Sequence, residues 1–169
     1  MTGQQGLIRI FEYALNQEQT GKKFFQDSLA RLNIGSAVSA FERLIQEEEK
    51  HIQFLQRLIS HIKAGEKIGL AEVEEVVLEP VNYFDARAHS EFLERCLEES
   101  MVPDVTVFNL AWLIEKDLSE FYHTMSQKTE GEAKLALSML ADWEASHEKF
   151  FRQFRDAITE TYARMPWGG

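Results

Sequence analysis

Four stretches of this chain repeat apolar residues at three- and four-residue steps, and each runs for more than about 20 residues, which is the pattern of long helices with one apolar face. The first spans about 5–32 and carries Ile8, Phe11, Leu15, Phe25, Leu29 and Leu32. The second spans about 37–63, with Val38, Phe41, Leu44, Ile45, Ile52, Leu55, Leu58 and Ile62. The third spans about 104–127, with Phe108, Ala111, Trp112, Leu118, Tyr122 and Met125. The fourth spans about 131–163, with Ala136, Leu140, Phe150, Phe151, Phe154 and Ile158. Only three prolines and nine glycines punctuate the chain, so long helices are permitted and an all-β fold, with its many turns, is not favoured.

The breaks within each pair are short. Asn33-Ile34-Gly35-Ser36 divides the first two segments, with Gly35 suited to a C-terminal cap and Ser36 to an N-cap. Thr129-Glu130-Gly131 divides the last two. Connections this short make each pair an antiparallel hairpin. Residues 64–103 lie between the hairpins and form a crossover, in which 85–100 reads as a shorter extra helix with Phe92, Leu93 and Leu97 on one side. The expected architecture is a single all-α domain over 1–169, a four-helix bundle of two antiparallel hairpins joined by that crossover.

Each apolar stripe is interrupted by an acid where an apolar residue belongs: Glu18, Glu48, Glu115 and Glu144. A buried carboxylate without a partner costs several kcal/mol. Four would consume a typical domain stability of about 5–15 kcal/mol. Something must neutralise them. Glu18 and Glu48 are 30 residues apart, with their midpoint in the first turn; Glu115 and Glu144 are 29 apart, with theirs in the second. Residues equidistant from a turn sit at one level, here about 22 Å along the bundle at 1.5 Å per residue, so all four acids can meet. Glu48 and Glu144 are each followed three residues later by a histidine, His51 and His147, on the same helix face. Four carboxylates balance two divalent cations. Mixed oxygen and imidazole ligands suit iron or manganese, with zinc as a redox-inert alternative.

The hairpins also repeat. A shift of 97 residues carries Glu18 to Glu115, Phe24 to Phe121 and Phe25 to Tyr122; a shift of 96 carries Leu44 to Leu140, Glu48 to Glu144, His51 to His147 and Phe54 to Phe150. A pseudo-two-fold bundle follows.

These residues resemble the ferritin-like di-iron carboxylate bundles. Within them, Glu18 with Phe25 and Glu115 with Tyr122 resemble the rubrerythrin branch, in which an aromatic follows the first and third acids by seven residues. The resemblance covers about 5–163. It implies a non-haem di-iron site with Glu18 and Glu115 as terminal ligands, Glu48 and Glu144 as bridges, and His51 and His147 each capping one metal. It implies an oxidoreductase that reduces hydrogen peroxide, or reacts with dioxygen. The other readings are a ferroxidase or iron-handling protein and a metal-stabilised bundle without catalysis. Phe25 and Tyr122 read as core packing, and Tyr122 is also the candidate catalytic side chain, able to hydrogen-bond a ligand carboxylate or supply an electron. Two departures stand out. The paired CxxC motifs of a rubredoxin-like module are absent, Cys96 being the one cysteine, so electrons are expected from a separate donor protein. The second glutamate that rubrerythrins carry three residues after the first on the third helix is Leu118 here, which puts the associated redox-linked ligand exchange in doubt.

The remaining candidates have plainer readings. Glu47 and Glu49 fall off the stripe and read as solvated. His61, near the end of the second helix, reads as a helix-dipole partner or an exposed residue, His89 and His123 as surface residues, Cys96 as a small buried filler, and Trp112 and Trp143 as core or interface. A net charge of −10 argues against nucleic acid as a partner. No apolar run reaches membrane-spanning length and no signal peptide is evident, so a cytoplasmic protein is expected. The crossover and aromatic-rich helices offer surface to bury, and members of the family associate, so a homodimer is expected.

Overall fold

The computed structural model describes residues 3–32, 35–67 and 105–164. The described residues form four helices: α1 (Gln4–Leu29), α2 (Gly35–Ala64), α3 (Val105–Gln127) and α4 (Gly131–Arg164). This is the all-α bundle expected from the period, with the ferritin-like fold that the family resemblance implies. The extra helix over 85–100, nearly all of the crossover, His89 and Cys96 lie outside the described residues.

The helix ends show where periodicity misleads. The apolar pattern continues to Leu32, but α1 stops at Leu29. Arg31 N–H and Leu32 N–H bond back only three residues, to the carbonyls of Ser28 and Leu29, so the chain tightens into a turn. Leu32 is nevertheless buried. Its place in the pattern records burial, not helicity. Gly35 opens α2 instead of capping α1. The glycine that does cap a helix is Gly65, at φ 73°. Glu66 N–H reaches the carbonyl of His61 and Gly65 N–H that of Ile62, the paired bonds of a Schellman motif, which a left-handed glycine makes possible.

α1 packs on α2, α3 on α4, and α1 on α3. The buried face repeats at alternating three- and four-residue steps. On α1 it is Phe11, Ala14, Glu18, Gly21 and Phe25; on α3 it is Phe108, Ala111, Glu115, Leu118 and Tyr122. Spacing of this kind is the seam of a near-parallel bundle.

The acids divide the core into two unlike compartments. On one side lie Ile8, Phe11, Leu55, Leu58, Leu118, Tyr122, Ala136, Leu137 and Leu140, largely aliphatic. On the other lie Phe25, Phe41, Phe108, Phe150, Phe151 and Phe154 with Leu32, Leu44, Val107 and Ala111. Phe25 and Phe151 stack at 5.9 Å, and Phe41 meets Phe108 edge-on at 5.6 Å, geometries that add to the gain from burial. α2 and α3 both run from the aromatic compartment to the aliphatic one. No described helix is long and apolar enough to cross a membrane.

Candidate metal centre

Between the two compartments the seam becomes polar on every helix. Glu18, Glu48, Glu115 and Glu144 are fully buried, and His51 and His147 are 3% and 4% exposed. All six positions singled out in the sequence meet in one cluster. Glu18, Glu48, His51 and Glu144 offer ligand atoms that all lie within 4.8 Å of one another, and so do Glu48, Glu115, Glu144 and His147. Glu48 and Glu144 belong to both groups. Glu18 with His51, and Glu115 with His147, each belong to one.

The protein itself does not satisfy this cluster. Six carboxylate oxygens receive no hydrogen bond: Oε2 of Glu18, both of Glu48, Oε1 of Glu115 and both of Glu144. His51 Nδ1 lies 2.7 Å from Glu144 Oε1 without the geometry of a hydrogen bond. His147 Nδ1 lies 3.2 Å from Glu115, 3.4 Å from Glu48 and 3.5 Å from Glu144. Buried polar groups are almost always paired, and orphaned oxygens facing one another are groups that cations could satisfy. The donor set of four carboxylates and two imidazoles fits two divalent first-row metals.

Protonation follows the same crowding. Burial, reinforced by the charges of Glu144 and Glu48, pushes the Glu18 and Glu115 carboxyls well above their ordinary 4.5. Burial alone would lower the imidazole values. The carboxylates outweigh it, chiefly Glu144 at His51 and Glu115 at His147, and both histidines sit well above 6.5. At Glu144 burial is likewise outweighed, here by His51 and His147, and its carboxyl is held below the ordinary range. Without metal, the protonated forms of Glu18, Glu115, His51 and His147 are therefore favoured, and a cation bound among them would displace protons.

The surrounding side chains hold the two groups differently. Tyr122, buried, donates its hydroxyl to Glu18 Oε1. Burial and the neighbouring carboxylates raise its pKa further, so the phenol stays a neutral donor. Phe25, its counterpart in the repeat, packs in the aromatic compartment and has no hydroxyl for Glu115. Trp143 stacks on His51 at 4.8 Å and 6°. Trp112 donates to Glu148 Oε1 at 2.7 Å, under the Arg155 guanidinium at 4.1 Å, and so ties α3 to α4 beside His147. Both tryptophans are half-buried. Their stripe positions marked them as core or interface, but nothing in the spacing marked which one meets a histidine.

The off-stripe residues lie elsewhere. Glu49 pairs with Lys22, Glu47 lies 3.3 Å from Lys50, and His123 is exposed beside Gln127. Leu118, where rubrerythrins carry a further glutamate, is 4% exposed and adds no ligand.

The family model described as Rubrerythrin matches residues 9–155, a span that contains all six cluster residues. Neither the curated proteins nor the solved structures provide a significant match. With a match over most of its length, and a buried glutamate–histidine cluster at the centre of a four-helix bundle, this chain belongs to the rubrerythrin family.

Proposed function

We propose that this protein is a non-haem di-iron oxidoreductase that reduces hydrogen peroxide to water with electrons from a separate donor. The observation that supports this reading is the set of six buried carboxylate oxygens without hydrogen bonds, gathered in two groups that share Glu48 and Glu144. Glu48 and Glu144 would bridge the ions. Glu18 and His51 would complete one coordination sphere, and Glu115 and His147 the other. A ferrous pair held by these residues would supply Lewis acidity and two electrons for O–O cleavage.

The chain's own contribution is positional. Tyr122 fixes the rotamer of Glu18 through its hydroxyl, and its raised pKa keeps that bond in place at neutral pH. Trp143 braces the His51 ring face. Such outer partners orient ligands and tune affinity. The two apolar compartments exclude water from either end, which strengthens the electrostatics inside. Leu118 has no carboxylate, so that position would add no further ligand.

The test is turnover by anaerobically purified, Fe(II)-loaded protein. Two ions per chain, with peroxide consumption that depends on added reductant and is catalytic in metal, is the expected result. Oxidation of many Fe(II) per chain, without reductant-dependent turnover, would replace this reading with iron handling. Bound metal with neither activity would leave a structural bundle.

A further inference from the structure

The internal repeat relates Gly21 to Leu118 by the same shift of 97 that relates Glu18 to Glu115. Both follow their acid by three residues, one turn further along the same helix face. One member of the pair has a bulky side chain and the other has none. A cleft of about 180 Å³ lies between α1 and α3 at this level, lined by Gly21, Leu118 and Ile114 beneath Gln17, Thr20 and Asp117, with the packed rings of Tyr13 and Phe121 beside them. Gly21 and Leu118 are buried, whereas Thr20 and Asp117 are exposed. The cleft thus has a rim of polar and aromatic side chains and an apolar floor, and that floor lies one turn along from Glu18 on α1 and beside Glu115 on α3.

We infer that this cleft is the port through which a small, uncharged oxidant, hydrogen peroxide or dioxygen, reaches the carboxylate cluster. The inference rests on the function proposed above. The space suits it, since a water's share of liquid volume is about 30 Å³ and peroxide is little larger. The chemistry suits it too. An anion would meet Asp117 and then four buried glutamates. A hydrated cation would have to shed water over Ile114 and Leu118 with nothing charged to replace it. A neutral molecule pays neither cost. The residue that holds the port open is Gly21. A Cβ there would meet Ile114 Cγ2 at 3.4 Å, an ordinary contact, so alanine fits and anything larger occupies the cleft.

Two readouts test this, one of them independent of catalysis. In zinc-loaded protein with labelled Leu and Ile methyls, dissolved dioxygen should relax Leu118 and Ile114 more strongly than Leu44 and Leu140, which are fully buried in the core. Gly21→Val should abolish that excess, and Gly21→Ala should retain most of it. In Fe(II)-loaded protein, single-turnover oxidation by peroxide should slow severalfold in Gly21→Val, and Leu118→Ala should match or exceed the parent. Equal relaxation at Leu118 and Leu140 would overturn the port even if peroxide turnover is confirmed. So would a Gly21→Val variant that slows Fe(II) uptake as much as oxidation, because the cleft would then serve the metal. Relaxation that follows the expected pattern in a protein without peroxidase activity would uphold the port and reject the activity.

Discussion

The Glu18–His51 half of the cluster and the Glu115–His147 half occupy matching places in the repeat, yet they are held by different neighbours. Glu18 accepts a hydroxyl from Tyr122, and His51 lies flat under Trp143. Glu115 has His147 at 3.2 Å, and the position matching Tyr122 is Phe25, which belongs to the aromatic compartment. The two-fold therefore applies to the groups offered as ligands and not to what supports them. One half is braced by a phenol and an indole. The other leans on its own histidine, with Trp112 and Glu148 joining α3 to α4 nearby. Equal sets of candidate ligands with unequal supports would give two metal positions that need not bind or react alike.

The largest effect should come from removing what the halves share. Glu48→Ala combined with Glu144→Ala deletes the two residues common to both groups, and neither half keeps more than one carboxylate and one imidazole. Metal analysis should find no stoichiometric metal in the double variant. Two ions per chain would show that the ligand assignment is wrong. Glu18→Ala and Glu115→Ala should each lower occupancy toward one ion instead, and the braced half should be the tighter of the two.

Acidity sets the next effect. His51, His147, Glu18 and Glu115 all have folded values raised above their unfolded ones, so the metal-free native state binds more protons than the unfolded chain. Their contribution to stability is complete below the ordinary values of 4.5 and 6.5 and is lost as pH rises through the raised ones. Glu144, depressed, has the opposite sign, and its contribution fades only in acid. Chelator-treated protein should accordingly melt at progressively lower temperature as pH is raised above about 6.5, whereas metal-loaded protein should not, because cations take the place of the protons. Calorimetry of metal uptake at neutral pH should register proton release. Parallel melting trends for the two forms would mean that the carboxylates and histidines do not share protons.

These effects concern the part of the molecule that the sequence shows most openly. An acid in an apolar stripe is conspicuous, and equal distance from a short turn converts position along the chain into height in the bundle. Both arguments need only the rise and period of a helix, which is why Glu18, Glu48, His51, Glu115, Glu144 and His147 could be named together. The lateral relations were harder to read. That Tyr122 reaches across to Glu18, and Trp143 to His51, depends on helix rotation and side-chain rotamers, which spacing does not encode. Periodicity overshoots the end of α1 because Leu32 stays buried after the helix has stopped. The α1–α3 cleft is not legible in the sequence, because a glycine in a stripe reads as a weak core residue until the helix opposite is known.

The tyrosine offers a way to make the two halves alike. Tyr122→Phe removes one hydrogen bond to a buried carboxylate and little volume. A bond to a charged group is worth about 1.5–3 kcal/mol. A chain of this size shifts its melting point by about 2–4 °C per kcal/mol. A drop of several degrees is expected in the loaded protein, with two ions still bound. Occupancy of the Glu18 position should become less tight, approaching that of the Glu115 position. An unchanged difference between the two affinities would transfer the asymmetry to Trp143.

The smallest effect tests the boundary of the comparison. Glu47 and Trp143 are related by the shift of 96, so the residue matching the indole that braces His51 is an acid. If the repeat governed the supports as it governs the ligands, Glu47 would brace His147. It lies instead 3.3 Å from Lys50 on its own helix, a partly exposed i,i+3 pair of the kind worth a few tenths of a kcal/mol. Glu47→Ala should therefore leave metal content, the affinity of both positions and the melting point within error of the parent. Loss of metal from this variant alone would extend the two-fold to the supports, and the contrast between a braced half and an unbraced one would have to be abandoned.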